Sequence, residues 1–469
     1  MIDTFAIRCN VLKLAFSGQL SQHEVEDGAI DDLLKRVNPN REIKQSEAGP
    51  YEIPENWAWV KLEDLYEINP KVEAADDTDA AFIPMERISA GFSDSFTFEV
   101  QKWSAASKNH TRFADGDVAF AKISPCFENR KSFIATGLPN GIGGGTTELI
   151  ILRQKEMLPR FTYYVTLDQR FIHEGVASYK GTVGQQRVKS DVIKNYMVAV
   201  PPKEEQQRII EKIESIFSAL DTIDTLQSQY QDNLATLKSK IIDAGIQGKL
   251  TEQLLEDGTA EELYQQIQQE RKSQEASGKI KKEDLFPDIE DQSIPFSVPK
   301  TWLWTYLGNV SYIVRGGSPR PIKQYITHDT NGINWIKIGD VEKGGKYIYQ
   351  TNERISPEGE KKSRRVYPGD FLLTNSMSFG RPYISQIEGC IHDGWLLIRN
   401  LNGFDPDYLY YLLSSSYLYG QFTEKASGST VDNLNIDKVK SAMIPLPPLA
   451  EQKRIVAKLE ELLPLCEKG

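Results

Sequence analysis

The feature that most constrains this chain is an internal repeat. The segment "MVAVPPKEEQQRIIEKIESIF" begins at Met197, and "MIPLPPLAEQKRIVAKLEELL" begins at Met443, 246 residues later. Each copy combines two prolines, a Glu-Gln pair and apolar residues at helical spacing, which predicts a helix that starts just after the prolines. A repeat at this distance indicates that the chain contains one structural unit twice.

Two further pairs of similar segments occur in the same order. "AFSGQLSQHEVEDGAIDDLL" from Ala15 resembles "GIQGKLTEQLLEDGTAEELY" from Gly245, at an offset of 230 residues. "YEIPENWAWVKL" from Tyr51 resembles "FSVPKTWLWTYL" from Phe296, at an offset of 245 residues. Because three near-equal offsets follow the same order, we predict a duplicated unit of about 240 residues.

Residues 51–200 and 296–446 are predicted to form mixed α/β domains. Both blocks are rich in glycine, aromatic residues and short β-prone runs such as "DVAFAKI" and "WLLIRN". We expect one helix in each block, at "RFTYYVTLDQRFIHEGV" and at its copy "PDYLYYLLSSSYLYGQF". The run "GIGGGTT" at Gly141 is interpreted as a flexible hairpin loop, and phosphate binding by its backbone N–H groups is the alternative.

The remaining segments are predicted to be helical. Apolar residues recur every three or four positions from Ile209 to Ile241, close to the period of a coiled coil. A helix from about residue 203 to residue 244 would be roughly 60 Å long. Such a helix needs a partner, which is either the second copy's helix in the same chain or a second chain in a dimer.

Charge and composition limit the class of protein. The net charge is −11, but residues 51–200 carry 17 Lys and Arg against 20 Asp and Glu, and residues 295–445 carry 17 against 14. The acidity therefore lies in the helical segments, and local basic patches remain available in the two blocks. No apolar run is long enough to span a bilayer, and no secretory signal is evident, so we expect a cytoplasmic protein without a membrane partner. The four cysteines are scattered, which suits a reducing compartment.

Motifs for catalysis were not found. "GIQGKLT" at Gly245 imitates a phosphate-binding loop, but its glycines are too close together and Leu250 follows the lysine. The Asn/Asp-Pro-Pro-aromatic motif of amino-methyltransferases does not occur, and "PDIEDQ" at Pro287 lacks the Glu-x-Lys that a nuclease motif requires. The five histidines show no metal-ligand spacing, so we expect no metal site.

The repeated Pro-Pro-x-x-Glu-Gln-x-x-Ile helix, the "QGKLTEQ" segment and the W-x-W opening of each block resemble the specificity subunits of type I restriction-modification systems. The resemblance covers essentially the whole chain. It implies two target recognition domains that each read one half of a split site in double-stranded DNA, and conserved helices that set the spacer. It also implies two docked methyltransferase subunits, restriction subunits that complete an endonuclease, and no active site on this chain. S-adenosylmethionine, ATP and Mg would then belong to the partner subunits.

With this resemblance, the predicted fold class is mixed α/β, with two duplicated recognition domains joined by long antiparallel coiled-coil-like helices in a pseudo-twofold repeat. The predicted divisions are an N-terminal helical segment (1–48), the first recognition domain (49–200), a central helical region (201–290), the second recognition domain (291–446) and a C-terminal helix (447–469). The first and last of these would together form the distal helical region.

Candidate DNA contacts are Lys, Arg, Ser, Thr and amide side chains in glycine-rich or basic loops, because these groups bind phosphates and base edges. A solvated loop is the alternative for each of them. In the first block the candidates are Lys108, His110, Arg112, Lys122, Ser124, Asn129, Arg130, Lys131, Lys180, Thr182, Gln186 and Arg187. In the second block they are Arg315, Ser318, Arg320, Lys323, Lys361, Lys362, Arg364, Arg365, Asn375, Ser376, Ser378, Arg381, Ser427 and Ser429.

The sequence therefore predicts a non-catalytic DNA-specificity subunit. Two other classes stay open at this point. An enzyme, such as a fused methyltransferase or nuclease component, is disfavoured by the missing motifs. A coiled-coil scaffold is disfavoured because it does not explain two similar α/β blocks with basic loops.

Overall fold

A computed structural model describes residues 1–22, 24, 27–37, 43, 49–182, 185–342, 344–375, 380–424 and 434–467. The chain forms two compact units, residues 1–228 and residues 229–469. Within the described ranges, no helix combines the length and the apolar character needed to cross a bilayer.

The described residues of the first unit form short helices, ten strands and the start of one long helix. Its helices are α1 (Thr4–Phe16), α2 (Ile30–Val37), α3 (Leu62–Leu65), α4 (Trp103–Ala106), α5 (Pro159–Leu167), α6 (Gln169–Ala177), α7 (Ser190–Asn195) and α8 (Lys203–Ile246), of which α8 continues into the second unit. Its strands are β1 (Ala58–Lys61), β2 (Tyr66–Ile68), β3 (Asp79–Ile83), β4 (Glu99–Lys102), β5 (Thr111–Ala114), β6 (Val118–Ala121), β7 (Ser132–Ile134), β8 (Ile142–Gly145), β9 (Leu149–Gln154) and β10 (Met197–Val200).

The second unit repeats this series of elements. Its helices are α9 (Ala260–Ala276), α10 (Leu307–Val310), α11 (Pro357–Glu360), α12 (Pro406–Ser414), α13 (Ser416–Glu424), α14 (Ile436–Lys440) and α15 (Leu449–Leu462). Its strands are β11 (Leu303–Tyr306), β12 (Ser311–Arg315), β13 (Ile326–Thr327), β14 (Ile333–Ile336), β15 (Tyr347–Ile348), β16 (Glu353–Ile355), β17 (Arg364–Val366), β18 (Phe371–Thr374), β19 (Pro382–Ser385), β20 (Gly389–Ile391), β21 (Trp395–Asn400) and β22 (Met443–Leu446).

The sheets establish the duplication at the level of topology. In the first unit, sheet A has the strand order β2-β9-β6-β7 and sheet B has the order β4-β3-β8-β5. In the second unit, sheet A′ has the order β12-β21-β18-β19-β15 and sheet B′ has the order β13-β16-β14-β20-β17. The two orders correspond strand by strand, with β13 and β15 added at sheet edges. In both B sheets the central pair, β3 with β8 and β14 with β20, is parallel. This confirms the predicted fold class.

A third, two-stranded sheet closes the pair of sheets in each unit. The W-x-W opening leads into β1, which contains its second tryptophan and pairs antiparallel with β10 immediately before the two prolines. Its copy, β11, pairs with β22 in the same way. The first and last strands of each domain are therefore neighbours, and the chain leaves from this point into the helix that follows the prolines.

The repeated Glu-Gln pair fastens that helix to its domain. Glu205 is fully buried and accepts hydrogen bonds from Trp57 Nε1 at 2.9 Å and from Ser21 Oγ at 2.8 Å. The next residue, Gln206, donates to the Pro201 carbonyl at 3.1 Å and accepts from the Leu158 backbone N–H, also at 3.1 Å, just before α5.

The second copy reproduces this arrangement. Glu451 is fully buried and accepts from Trp302 Nε1 at 2.8 Å and from Thr251 Oγ1 at 3.1 Å. Gln452 donates to the Pro447 carbonyl at 3.0 Å and accepts from the Asp405 backbone N–H at 2.8 Å. Buried polar groups require partners, so this set of contacts explains why the sequence repeats the pair.

Each unit also contains an antiparallel helix pair. In the first unit, α1 packs on α8, and the Arg8 guanidinium contacts the Asp221 carboxylate at 2.8 Å. In the second unit, the last part of α8 packs on α15, with Lys238 Nζ at 3.0 Å from Glu467 Oε1. The offsets of 230 and 246 residues relate these two ion pairs residue by residue. The partner of α8 therefore lies in the same chain, as one of the two alternatives predicted.

Two predictions about secondary structure were wrong. The expected helix at "RFTYYVTLDQRFIHEGV" is two helices, α5 and α6, which are separated at Asp168, where the backbone turns to an extended conformation (φ −59°, ψ 136°). The helix expected at the copy is likewise two helices, α12 and α13, separated at Ser415 (φ −66°, ψ 147°). The "GIGGGTT" run is not a flexible loop, because residues 142–145 form the central strand β8. A Cβ at Gly144 would lie 1.9 Å from the Ala106 carbonyl oxygen, so the glycine permits close packing of α4 on the sheet.

Candidate nucleic-acid interface

In the first unit, five candidate residues lie on two segments that pair with each other. The Ser124 backbone N–H donates to the Gln186 carbonyl at 2.8 Å, and the Val188 N–H donates to the Lys122 carbonyl at 3.0 Å. Lys180 and Arg187 face each other within the second segment through two backbone hydrogen bonds. The structure thus brings Lys122, Ser124, Lys180, Gln186 and Arg187 together.

In both units, arginines lie on the edge strand of the B sheet. Arg112 is exposed on β5, with its guanidinium 5.7 Å from the centre of the Trp103 ring. Arg364 and Arg365 lie on β17, the corresponding edge strand. Arg364 is exposed, whereas Arg365 is half-buried and held by the carboxylates of Glu360 and Glu388.

In the second unit, four candidates converge on Asp393. Its carboxylate accepts from Ser318 Oγ at 3.0 Å and from Arg320 Nη2 at 3.2 Å. Its carbonyl oxygen accepts from Asn375 Nδ2 at 2.8 Å and from Arg315 Nε at 3.3 Å. The glycines of the "VRGGSPRP" segment make the convergence possible, because a Cβ at Gly316 would lie 2.2 Å from the His392 carbonyl oxygen.

The other candidates are distributed over the two domains. His110 is half-buried and its ring packs on Phe82, and Lys362 Nζ donates to the Tyr325 hydroxyl at 2.6 Å. Lys131 Nζ is bound to the Met85 carbonyl at 2.8 Å. Apart from the residues already named, the exposed candidates are Lys108, Asn129, Thr182, Lys323, Lys361 and Arg381. Ser376, Ser378, Ser427 and Ser429 lie outside the described residues.

Two candidates do not have the exposure that contact with DNA requires. Arg130 is 4% exposed, and its guanidinium stacks on Phe5 and Phe92 while Nε donates to the Leu167 carbonyl at 3.0 Å. Asn375 is 2% exposed, and its amide is occupied by Asp393. Arg130 follows the half-buried Glu128 and the exposed Asn129, and its left-handed backbone (φ 54°) accompanies an inward-turned side chain. The sequence gives no sign of this turn.

The residues that the sequence reasoning missed are acidic. Glu148 is bound by the guanidinium of Arg187 at 2.7–3.2 Å, and these hydrogen bonds lower the pKa of Glu148. Burial raises the pKa of Asp393, but hydrogen bonds from Ser318 and Arg320 and the nearby His392 outweigh burial, so that this pKa is also lowered. The signal that could have revealed them is position, since each lies in the short connection that follows β8 or β20.

One cavity formed by described residues of the first unit brings a cysteine, a histidine and an aspartate near each other without an arrangement suited to nucleophilic catalysis. A cavity of about 920 Å³ in the first unit is lined by Cys9, Asp168, Arg170 and His173, among others. The Cys9 sulfur lies 3.7 Å from the Gln169 amide oxygen, and burial raises the pKa of this thiol, which opposes formation of a thiolate. Among the residues with described positions, no three His, Cys, Asp or Glu side chains are grouped to hold a metal ion.

Comparison with known proteins gives a consistent result. Residues 54–230 and 299–467 match the family model described as "Type I restriction modification DNA specificity domain". The EcoAI specificity subunit of type I restriction enzymes from Escherichia coli is 28% identical, with all of this chain and 90% of that protein aligned. The EcoEI specificity subunit of the same organism is also 28% identical, over 91% of its length. A solved type I restriction-modification structure shares the fold, with a TM-score of 0.62, 20% identity and coverage of 89% of this chain and 93% of that one.

Proposed function

We propose, because this chain belongs to the family of type I restriction-modification specificity subunits, that each of its two units reads one half of a bipartite site in double-stranded DNA. One observation carries the proposal. The same pair of sheets occurs twice, with basic and amide side chains in corresponding loops, and the residues at these positions differ between the units. Lys122 directly follows β6 in the first unit, whereas Asn375 directly follows the corresponding strand, β18, in the second. Two units that share the same sheets but carry different side chains in their loops suit two half-sites of different sequence.

We further propose that the helices dock the partner subunits and set the gap between the half-sites. The helix α8 is continuous over 44 residues, which corresponds to about 66 Å at 1.5 Å per residue. The net acidity of the helical segments suits surfaces that face protein rather than phosphate. Two methyltransferase subunits, and restriction subunits in an endonuclease, are the partners that the family resemblance indicates, in a cytoplasmic complex.

In this assignment the chain supplies recognition, and the partners supply chemistry. S-adenosylmethionine would bind the methyltransferase subunits, and ATP and Mg would act with the restriction subunits. The loops described above bind and orient DNA by phosphate contacts and base contacts, which need no cofactor on this chain.

Reconstitution tests the assignment. The chain alone, incubated with S-adenosylmethionine and DNA, is expected to transfer no methyl groups. Together with the methyltransferase subunits of its own organism, it should direct methylation to one split sequence, which sequencing of methylated bases would reveal. The methyltransferase subunits without this chain are the control. Methylation by the chain alone, or methylation of a continuous short motif, would contradict the proposal.

Arg364 and Arg365 should respond differently to substitution by alanine. Because Arg364 is exposed, Arg364→Ala is expected to reduce the slope of log affinity against log salt by about one and to leave folding unchanged. Arg365→Ala should instead lower the midpoint of urea unfolding, because it leaves the carboxylates of Glu360 and Glu388 without their shared cation. Titrations of labelled duplex over a salt series give the slope, and an unaltered slope for Arg364→Ala would remove β17 from the interface.

A further inference from the structure

A three-residue connection in each unit carries a carboxylate into the candidate interface. The connection runs from the central strand of the B sheet to the adjoining strand of the A sheet. In the first unit it is residues 146–148, between β8 and β9, and in the second unit it is residues 392–394, between β20 and β21. Glu148 and Asp393 are the acidic residues of these connections.

Asp393 is the common partner of side chains from several segments. Ser318 and Arg320 reach it from the loop after β12, Asn375 reaches it from the end of β18, and His392 Nε2 lies 2.9 Å from its Oδ1. The Asp393 backbone N–H in turn lies 3.3 Å from the Ser318 hydroxyl oxygen. The carboxylate therefore holds Ser318 and Arg320 of the loop after β12, while the backbone carbonyl of the same residue holds Asn375.

Glu148 has the same relation to the loops of the first unit. Its two carboxylate oxygens bind Nε and Nη2 of Arg187 in a bidentate pair, at 2.9 and 2.7 Å for the shorter contacts. Its carbonyl oxygen accepts from the Lys122 backbone N–H at 2.8 Å, and the charge of Lys122 also lowers the Glu148 pKa. The two segments that bring the first-unit candidates together thus meet at this residue.

The ion pairs contribute too little to the free energy of unfolding to explain why these two carboxylates lie on this surface. The side chain of Arg320 is 82% exposed and that of Arg187 is 46% exposed, and ion pairs this exposed contribute only about 0–1 kcal/mol. A carboxylate on a surface that binds DNA also repels phosphate. Holding a long side chain in one orientation before binding, however, reduces the entropy lost when that side chain contacts a base.

We propose that Glu148 and Asp393 are positioning residues for base recognition, and that each holds the cationic side chains of its own unit in the orientation that reads one half-site. This inference rests on the proposed function and extends it to two residues. Each carboxylate serves its own unit only, so the two residues act on different halves of the same DNA site.

The test uses Glu148→Gln and Asp393→Asn, which keep the size of the side chain and remove its charge. The complete chain, assembled with its methyltransferase subunits, selects duplexes from a library with a randomised centre, and the enriched duplexes are sequenced. Asp393→Asn is expected to reduce the enrichment of one half-site about tenfold, which corresponds to a single well-formed base contact. Glu148→Gln should reduce the enrichment of the other half-site by a similar factor. Binding to a duplex without the site should stay equal or increase, because one negative charge is lost.

Two matched control variants each remove a carboxylate that lies on a strand of sheet B or sheet B′, and not in the connections that carry Glu148 and Asp393. Glu99 on β4 holds Arg87 at 2.6 Å, and Glu353 on β16 holds Lys337 at 2.8 Å. Glu99→Gln and Glu353→Gln should leave both half-sites as enriched as in the unaltered chain. The positioning role would be refuted if either test variant reduced the enrichment of both half-sites equally, or left the enrichment of both unchanged. The proposed function would still stand in that case. If the unaltered chain enriched a sequence that is not divided into two halves, both the proposed function and this inference would be overturned.

Discussion

Insertion of four residues into α8 after Ser228 is expected to widen the gap between the half-sites by one or two base pairs and to leave the half-site sequences unchanged. Four residues extend an α-helix by about 6 Å and rotate it by about 40°. One base pair adds about 3.4 Å and about 34° to the duplex. The added rotation of the helix matches one extra base pair, and the added length matches two. A continuous helix can therefore transmit either change to the gap between the half-sites.

Sequencing of methylated bases after expression of the variant complex measures this gap directly. An insertion of four residues in the exposed loop around Asp329 is the matched control, because it adds the same length of chain away from α8. The control should keep the original gap. Methylation at the original gap by the α8 variant would show that α8 does not set the spacing.

Replacement of Glu451 by alanine is expected to be the most destabilising of the single substitutions considered for the second unit, at about 3 kcal/mol in the free energy of unfolding. The substitution removes the acceptor for Trp302 Nε1, which is then buried without a partner, and it also removes the contacts of Thr251 and Gln253. Urea unfolding followed by tryptophan fluorescence would report the change.

Glu461→Ala provides the control for this substitution. Glu461 lies on the same helix, α15, and its side chain is 63% exposed in a pair with Lys458. Exposed pairs of this kind contribute about 0.5 kcal/mol, so the midpoint of unfolding should hardly move. Glu205→Ala should reproduce the large loss in the first unit, where Trp57 takes the place of Trp302. A loss below about 1 kcal/mol for both glutamates would mean that the repeated pair has little structural role.

The duplication and the long helix could be predicted because they leave a periodic signal. The helix predicted for residues 203–244 is observed from Lys203 to Ile246, and the runs "DVAFAKI" and "WLLIRN" contain β6 and β21. Such segments show their environment in their own pattern of apolar residues. The break at Asp168 left no such trace, since helix-compatible residues continue on both sides of it.

Contacts between distant segments could not be predicted. The segment around Arg130 has the composition of a surface loop, and only the folded chain places Phe5 and Phe92 against the Arg130 guanidinium. The glycines at residues 143–145 suggested flexibility, whereas close packing in a sheet is what requires them. Asp393 was overlooked for a related reason. An acidic residue appears unfavourable for binding DNA until its partners, which are far away in the sequence, are known.

The helix pairs have a consequence for how new specificities arise. The ion pair of Arg8 with Asp221 lies entirely in the first unit, and that of Lys238 with Glu467 lies entirely in the second. A genetic crossover between the codons for Ser228 and Gln229 would therefore exchange a recognition domain together with the complete helix pair that supports it. Recombination at this point can combine half-site readers from different lineages without any mutation in a hydrophobic core, so the middle of α8 is a natural junction for evolutionary shuffling.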